Sequence, residues 1–229
     1  MVHVIDREAV QDLHATRQAQ LIEVLPPEQY EWAHLPGAVN VPLPELAASA
    51  AGLDRSRPVI VYCHDWLCDM SSRAAHRLER LGFEEAYDYV AGKLDWLSAD
   101  LPYEGNADLV VRRMRRDPVT AYLNDPLEEV ADRIIADPAG LAVVVDEDDV
   151  VQGVIGAPEL EGTDSAATAE DAMRVDAPTV RPSEGAALLT KRMDRAELQH
   201  VVVTKADGTL VGLFGLGDLR SQESEPDLG

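Results

Sequence analysis

Residues 120–160 and 179–219 of this 229-residue chain follow one pattern at a constant offset, 179 − 120 = 219 − 160 = 59. An ungapped repeat of this length means one structural unit used twice, and it constrains the fold more than any other feature. The first copy reads TAYLNDPLEEVADRIIADPAGLAVVVDEDDVVQGVIGAPEL and the second TVRPSEGAALLTKRMDRAELQHVVVTKADGTLVGLFGLGDL. Val143-Val144 falls on Val202-Val203, and Gly153 on Gly212. Each copy predicts helix, strand, hairpin turn, strand and helix start. In the first, Asp125 is the expected cap and Pro126 the first helical residue, with Leu127, Val130, Ala131, Ile134 and Ile135 as the buried stripe. DEDD (146–149) and KADG (205–208) are hairpin turns. A unit of this size cannot cover its own sheet, so two copies are expected to pack as a pseudo-twofold pair.

Residues 1–105 alternate strand and helix signals, which predicts a parallel α/β sheet flanked by helices. QLIEVL (20–25) and AYDYV (86–90) read as strands, PPEQY (26–30) and KLDWLSA (93–99) as helices. PVIVY (58–62) is apolar on successive positions, as in a strand covered on both faces. It ends on Cys63, and SSRAAHRLERLGF (71–83) then predicts a helix capped by Ser71 or Ser72 and ended by Gly82. The expected domains are 1–105 and 106–229, with repeats over about 110–162 and 168–221.

Cys63 therefore stands at the carboxyl edge of a parallel strand, where open sheets bind ligands. The loop His64, Asp65, Trp66, Leu67, Cys68, Asp69, Met70 leads to Ser71 and a helix amino end. Free N–H groups there are expected to favour a thiolate. Asp65 and Asp69 act against it, and no Lys or Arg occurs before Arg73, so a dianionic donor such as thiosulfate is disfavoured. Cys68 is a candidate resolving thiol or second sulfur relay. Cys63, His64, Cys68 and His34 match no standard zinc spacing, and no metal site is expected.

The net charge of −22 repels nucleic acid and anionic membranes, so neither is an expected partner. No apolar run is long enough to span a bilayer, and MVHVIDREAV does not read as a secretory leader. Two cysteines make no disulfide scaffold, so a reducing cytoplasm is the expected setting.

The first half resembles a rhodanese domain. The matching stretches are LIEVLPPEQYEWAHLPGAVNVPL (21–43), VIVYC (59–63), SSRAAHRLERLGF (71–83) and YVAGKLDWLSADLPYEG (89–105). The resemblance implies a sulfurtransferase whose cysteine, here Cys63, carries a persulfide between a small-molecule or protein sulfur donor and a thiol acceptor. His34, Pro36, Gly37 and Ala38 fall on the family's fold-defining turn. Seven residues separate Cys63 from Ser71, which resembles a longer-looped branch with a second cysteine inside. Glu23 stands where the family often has aspartate, and Leu25 replaces a frequent arginine.

The repeat resembles a tandem CBS pair, the Bateman-type α/β module named after cystathionine β-synthase. The resemblance implies an AMP- or ATP-type adenosine ligand, no obligatory cofactor, and a homodimer formed through the pair. It points to Asp218 for ribose, to Gly215 and Gly156 where a hydroxyl usually stands, to Glu159 as the first copy's acid, and to Thr120 and Thr179. The alternative from another class is a non-catalytic redox sensor or interaction module using Cys63 and Cys68.

Overall fold

The structure is a computed structural model that describes residues 2–161, 163–164 and 166–217. The chain divides into two units, Met1–Ala107 and Asp108–Gly229. The first contains β1 (His3–Val4), α1 (Arg7–Arg17), β2 (Gln20–Glu23), α2 (Pro27–Trp32), β3 (Val39–Asn40), α3 (Leu46–Ser49), β4 (Val59–Tyr62), α4 (Met70–Arg80), β5 (Ala86–Tyr89) and α5 (Gly92–Ser98). A single 3-10 turn, Ala50–Gly52, follows α3.

The five strands form one sheet in the order β1-β5-β4-β2-β3, parallel at every pairing. β4 is central and all four of its residues are buried. Its side chains alternate between two cores, as the pleat requires. Val59, Val61 and Cys63 pack with Ile22, Ala74, Ala75 and Leu78 on one face; Ile60 and Tyr62 pack with Leu21, Val10 and Trp96 on the other. Helices cover both faces, which explains the unbroken apolar run. The turn at His34 is tied by paired main-chain bonds to Glu104 (2.9 and 3.0 Å), and its ring stacks on Tyr30 at 3.7 Å.

The second unit contains α6 (Val110–Arg113), β6 (Val119–Tyr122), α7 (Leu127–Ala136), β7 (Leu141–Val145), β8 (Val151–Gly156) and α8 (Ala157–Leu160). It continues with α9 (Ala169–Ala172), β9 (Thr179–Val180), α10 (Ala186–Arg195), β10 (His200–Thr204) and β11 (Leu210–Gly215). Each copy is a three-stranded sheet, β6-β7-β8 and β9-β10-β11, with one parallel and one antiparallel pairing. Val143 and Val154 pack against their repeat mates Val202 and Leu213, so a pseudo-twofold axis runs through the shared core.

The repeat also extends further toward the amino end than the matched strings suggest. Met114-Arg115 precedes the first copy but packs on the second: Arg115 and Leu213 exchange main-chain bonds of 2.9 Å. Their mates Arg174 and Val154 do the same at 2.9 and 3.0 Å, with Met173-Arg174 lying on the first copy. Gly153 and Gly212 permit this exchange. A Cβ on Gly153 would come within 2.7 Å of the Arg174 carbonyl, and one on Gly212 would meet the Arg115 carbonyl. Each copy is thus completed by the other's leader.

Three expectations are corrected. α4 begins at Met70 with Asp69 at the cap position, so Ser71 and Ser72 lie inside the first turn. Their hydroxyls find other partners, Ser71 the Cys63 sulfur and Ser72 the buried Asp88 carboxylate. α7 starts at Leu127 behind Pro126, and the Asp125 carboxylate accepts from the Tyr122 N–H and pairs with Arg133 instead of capping. In the expected stripe, Leu127, Val130 and Ile134 are buried, Ala131 is half-buried and Ile135 is 78% exposed. Among the described residues no helix is long and apolar enough to cross a membrane.

Candidate active site

Cys63 follows the last residue of β4, and its side chain is enclosed between the sheet and α4. The thiol donates toward the Cys68 carbonyl at 3.3 Å, lies 3.4 Å from the Ser71 hydroxyl, and reaches the Asp65 carbonyl at 3.9 Å. Both cysteines are free thiols; Cys63 is buried and Cys68 half-buried.

This geometry corrects the expectation of a thiolate held by amides. Two loop amides are already used: Leu67 N–H donates to the Asp65 carboxylate (2.9 Å) and Cys68 N–H to the Asp65 carbonyl (3.1 Å). The Cys68 and Asp65 carbonyls approach the sulfur, alongside the Ser71 hydroxyl and N–H. Burial therefore pushes the Cys63 thiol up to about 11; the neighbouring Cys68 adds to the rise, and the Ser71 hydroxyl and N–H oppose it.

The rest of the loop divides by exposure. Trp66 is 72% exposed and Leu67 73%, while Met70 packs with Cys68 against the core around Cys63. Asp69 is solvent-facing and 3.6 Å from Arg73. His64 is half-buried with its ring 6.3 Å from Trp32; its Nδ1 has no hydrogen-bond partner among the described residues. Burial lowers the His64 pKa. Arg73, Arg77 and Arg80, with Asp69, Ser72 and His76, line a separate surface cavity of about 440 Å³ along α4.

Two residues that the sequence reading passed over hold the loop from below. Gly92 has φ +65°, and a Cβ there would lie 2.7 Å from the Cys63 carbonyl and 2.8 Å from that of His64. The next N–H groups, of Lys93 and Leu94, donate to those carbonyls at 3.0 Å each. The Lys93 side chain is fully buried; its Nζ donates to Glu23 Oε1 (2.7 Å), the Gln29 carbonyl (2.6 Å) and the Ala33 carbonyl (2.9 Å). Burial raises the Glu23 pKa and lowers that of Lys93, and each partner opposes the other's shift. A buried cation thus reaches the sheet from α5, where the family resemblance had pointed to position 25. A lysine directly after a glycine and amid Tyr, Val, Leu and Trp was the available signal.

In the second unit, Thr179 lines a cavity of about 280 Å³ with Gln152, Arg181, Thr204 and Asp207. Thr120 lines a different one, of about 340 Å³, with Arg133 and Asp137. Gly215 closes β11 opposite His200, two strands away from β9, and is not among the described lining of either cavity. Glu159 is engaged locally: it accepts the Gly156 N–H at 2.8 Å and pairs with Arg174 at 3.2 Å. Asp218 lies outside the described residues. Among the described residues no cluster of metal-binding side chains occurs.

A family model for a rhodanese-like domain matches residues 6–99, and one for a CBS domain matches residues 107–160 and 169–225. The chain thus carries a rhodanese-like domain followed by a tandem CBS pair. The HTH-type transcriptional regulator Rv0324 of Mycobacterium tuberculosis is 36% identical over 90 residues, 39% of each chain. The thiosulfate sulfurtransferase GlpE of Vibrio cholerae is 29% identical over 102 residues, covering 44% of this chain and 94% of that protein. A solved structure of a CBS domain protein from Pyrobaculum aerophilum complexed with AMP is 24% identical, covers 48% of this chain and 89% of its own, and has a TM-score of 0.44. The chain spans only 39% of the mycobacterial regulator's length.

Proposed function

We propose that the rhodanese-like unit is a sulfurtransferase in which Cys63 carries a persulfide, working in a reducing cytoplasm. The observation that carries this reading is the placement of Cys63: the central parallel strand ends on it, and an eleven-residue helix begins seven positions later. The donor's terminal sulfur–sulfur bond breaks as Cys63 Sγ bonds the outer sulfur. The remaining donor fragment leaves with the electron pair, and the Cys63 proton passes to it or to water. An acceptor thiolate then attacks the outer sulfur, returning the pair to Cys63.

Small sulfane donors of low charge, such as alkyl persulfides, fit this loop better than thiosulfate. Its acidic side chains are Asp65 and Asp69, and the α4 arginines line the outer cavity. Mass spectrometry after exposure to sodium polysulfide tests the reading. Cys63 gains the mass of one sulfur atom, and Cys63→Ala abolishes the gain. No gain from polysulfide or from cysteine persulfide would overturn it.

The CBS pair is proposed to bind an adenosine nucleotide in the cavity lined by Thr179, Arg181 and Asp207, whose guanidinium, held by Thr204, and carboxylate, held by the Thr209 N–H, are the candidate groups for phosphate and ribose. AMP and ATP are expected to raise the unfolding temperature of the unit, and Arg181→Ala to remove that rise. The closeness of Cys68, whose carbonyl accepts from the Cys63 thiol at 3.3 Å, favours a second reading, a redox switch. A peroxide takes two electrons and two protons from the pair, leaving a Cys63–Cys68 disulfide and water. Loss of both free thiols under peroxide, with no sulfur transfer from any donor, identifies it.

A further inference from the structure

Cys63 and Cys68 differ in the one property that decides which acceptor each can meet. Cys63 has no exposed surface, being closed in by Ile22, Val61 and Ala74 on the apolar side and by the loop on the other. Cys68 packs on the same core from the rim and is half-buried, beside Trp66 and Leu67, which stand out into solvent. The Cys63 thiol donates to the main-chain carbonyl of Cys68 at 3.3 Å, so residue 68 lies directly against the buried sulfur.

With no exposed surface, Cys63 is less open to a bulky, charged thiol of glutathione size than Cys68 is at the rim. A persulfide on Cys63 extends its outer sulfur by about 2 Å, and the other free thiol, Cys68, belongs to the residue whose carbonyl already meets the Cys63 sulfur.

We infer that Cys68 is a second sulfur carrier: it takes the outer sulfur from the Cys63 persulfide and presents it at the rim to peptide-sized thiol acceptors. This rests on the persulfide reading above. The Cys68 thiolate attacks the outer sulfur; the Cys68 Sγ–S bond forms and the Cys63 Sγ–S bond breaks. The electron pair returns to Cys63 Sγ, which takes up the proton that Cys68 gave to water. The sum is Cys63–SSH plus Cys68–SH giving Cys63–SH plus Cys68–SSH. No oxidant or reductant is consumed. Acceptor choice is then set at Cys68, where the exposed indole and leucine form an apolar rim for a peptide.

The test uses the full chain loaded with sodium polysulfide, followed by alkylation, peptide mass spectrometry and timed discharge to glutathione. In the wild-type protein the added sulfur is expected on both Cys63 and Cys68. In Cys68→Ser and Cys68→Ala it stays on Cys63, the loaded fraction of Cys63 rises, and discharge to glutathione slows by about tenfold or more. In Cys63→Ser no sulfur reaches Cys68. Discharge from Cys68→Ser at the wild-type rate overturns the relay, as does direct loading of Cys68 in Cys63→Ser. Failure to load Cys63 in both the wild type and Cys68→Ser overturns it at its base, because the persulfide reading itself then fails. Unchanged unfolding temperatures in the variants separate a lost relay from a lost fold.

Discussion

At the residue scale, the Cys63 sulfur is a neutral thiol at neutral pH. Its pKa is raised from 9.0 to about 11, so thiolate is a fraction on the order of one in ten thousand at pH 7. Alkylation of Cys63, followed in Cys68→Ser so that the rim thiol is silent, is expected to accelerate about tenfold per pH unit from neutrality and to level off only near pH 11. Levelling off near 8.5 would show an ordinary thiol and contradict the burial argument. The same shift has a stability sign. The fold favours the protonated group, so its contribution is complete below pH 9 and is lost as pH rises through about 11. The position of Cys63 was legible in the sequence because a parallel strand, a loop and a helix announce one another locally. The state of its sulfur was not. Asp65 counted as a repelling charge, whereas in the folded loop it also accepts the Leu67 and Cys68 amides.

At the scale of elements, α5 matters through its first two residues. Gly92 lets the helix approach the Cys63 carbonyl, and Lys93 anchors it to Glu23 on β2, 70 residues earlier. Removing one member of a fully buried pair strands a charge. Lys93→Met is therefore expected to destabilise the first unit by about 3–5 kcal/mol, and Glu23→Leu combined with Lys93→Met to recover most of that loss. Urea unfolding followed by a probe confined to this unit makes the comparison; equal stability of the single and double variants would show that the pair is not coupled. Such a pair is invisible in sequence, because neither residue predicts its partner across that separation. The exchanged leaders of the CBS copies illustrate the same limit. The strands and hairpins were plain from the 59-residue offset, but Met114-Arg115 and Met173-Arg174, identical and at that same offset, are too short a match to announce an exchange. The glycines that receive them carry the proof. Gly212→Ala places a methyl group against the Arg115 carbonyl, and backbone cannot swing away as a flexible side chain would. It is expected to lower the second unit's stability by about 1–3 kcal/mol, read as a fall in its unfolding temperature with the first unit unaffected.

At the scale of the whole molecule, charge and symmetry pull in opposite directions on assembly. The second unit has an internal pseudo-twofold, yet the outer surfaces of its helices are not fully polar: Ile135 on α7 and Leu188 on α10 are 78% and 74% exposed. Burying both in a second copy of the pair is the economical use of such side chains, each worth about 1.5–3 kcal/mol when covered. Against this stands a net charge of −22 on every chain, which makes two copies repel over a distance set by ionic strength. The proposed dimer should therefore tighten as salt is added, the reverse of an interface held by ion pairs. Sedimentation at low and at physiological ionic strength measures this directly. The wild-type chain is expected to shift toward dimer with salt, while Ile135→Glu with Leu188→Glu, adding four charges to a dimer, keeps it monomeric under both conditions. A wild-type chain that stays monomeric throughout would leave the two side chains as isolated surface residues and remove the assembly from the reading. A dimer weakened by salt would place the contact on the arginines instead.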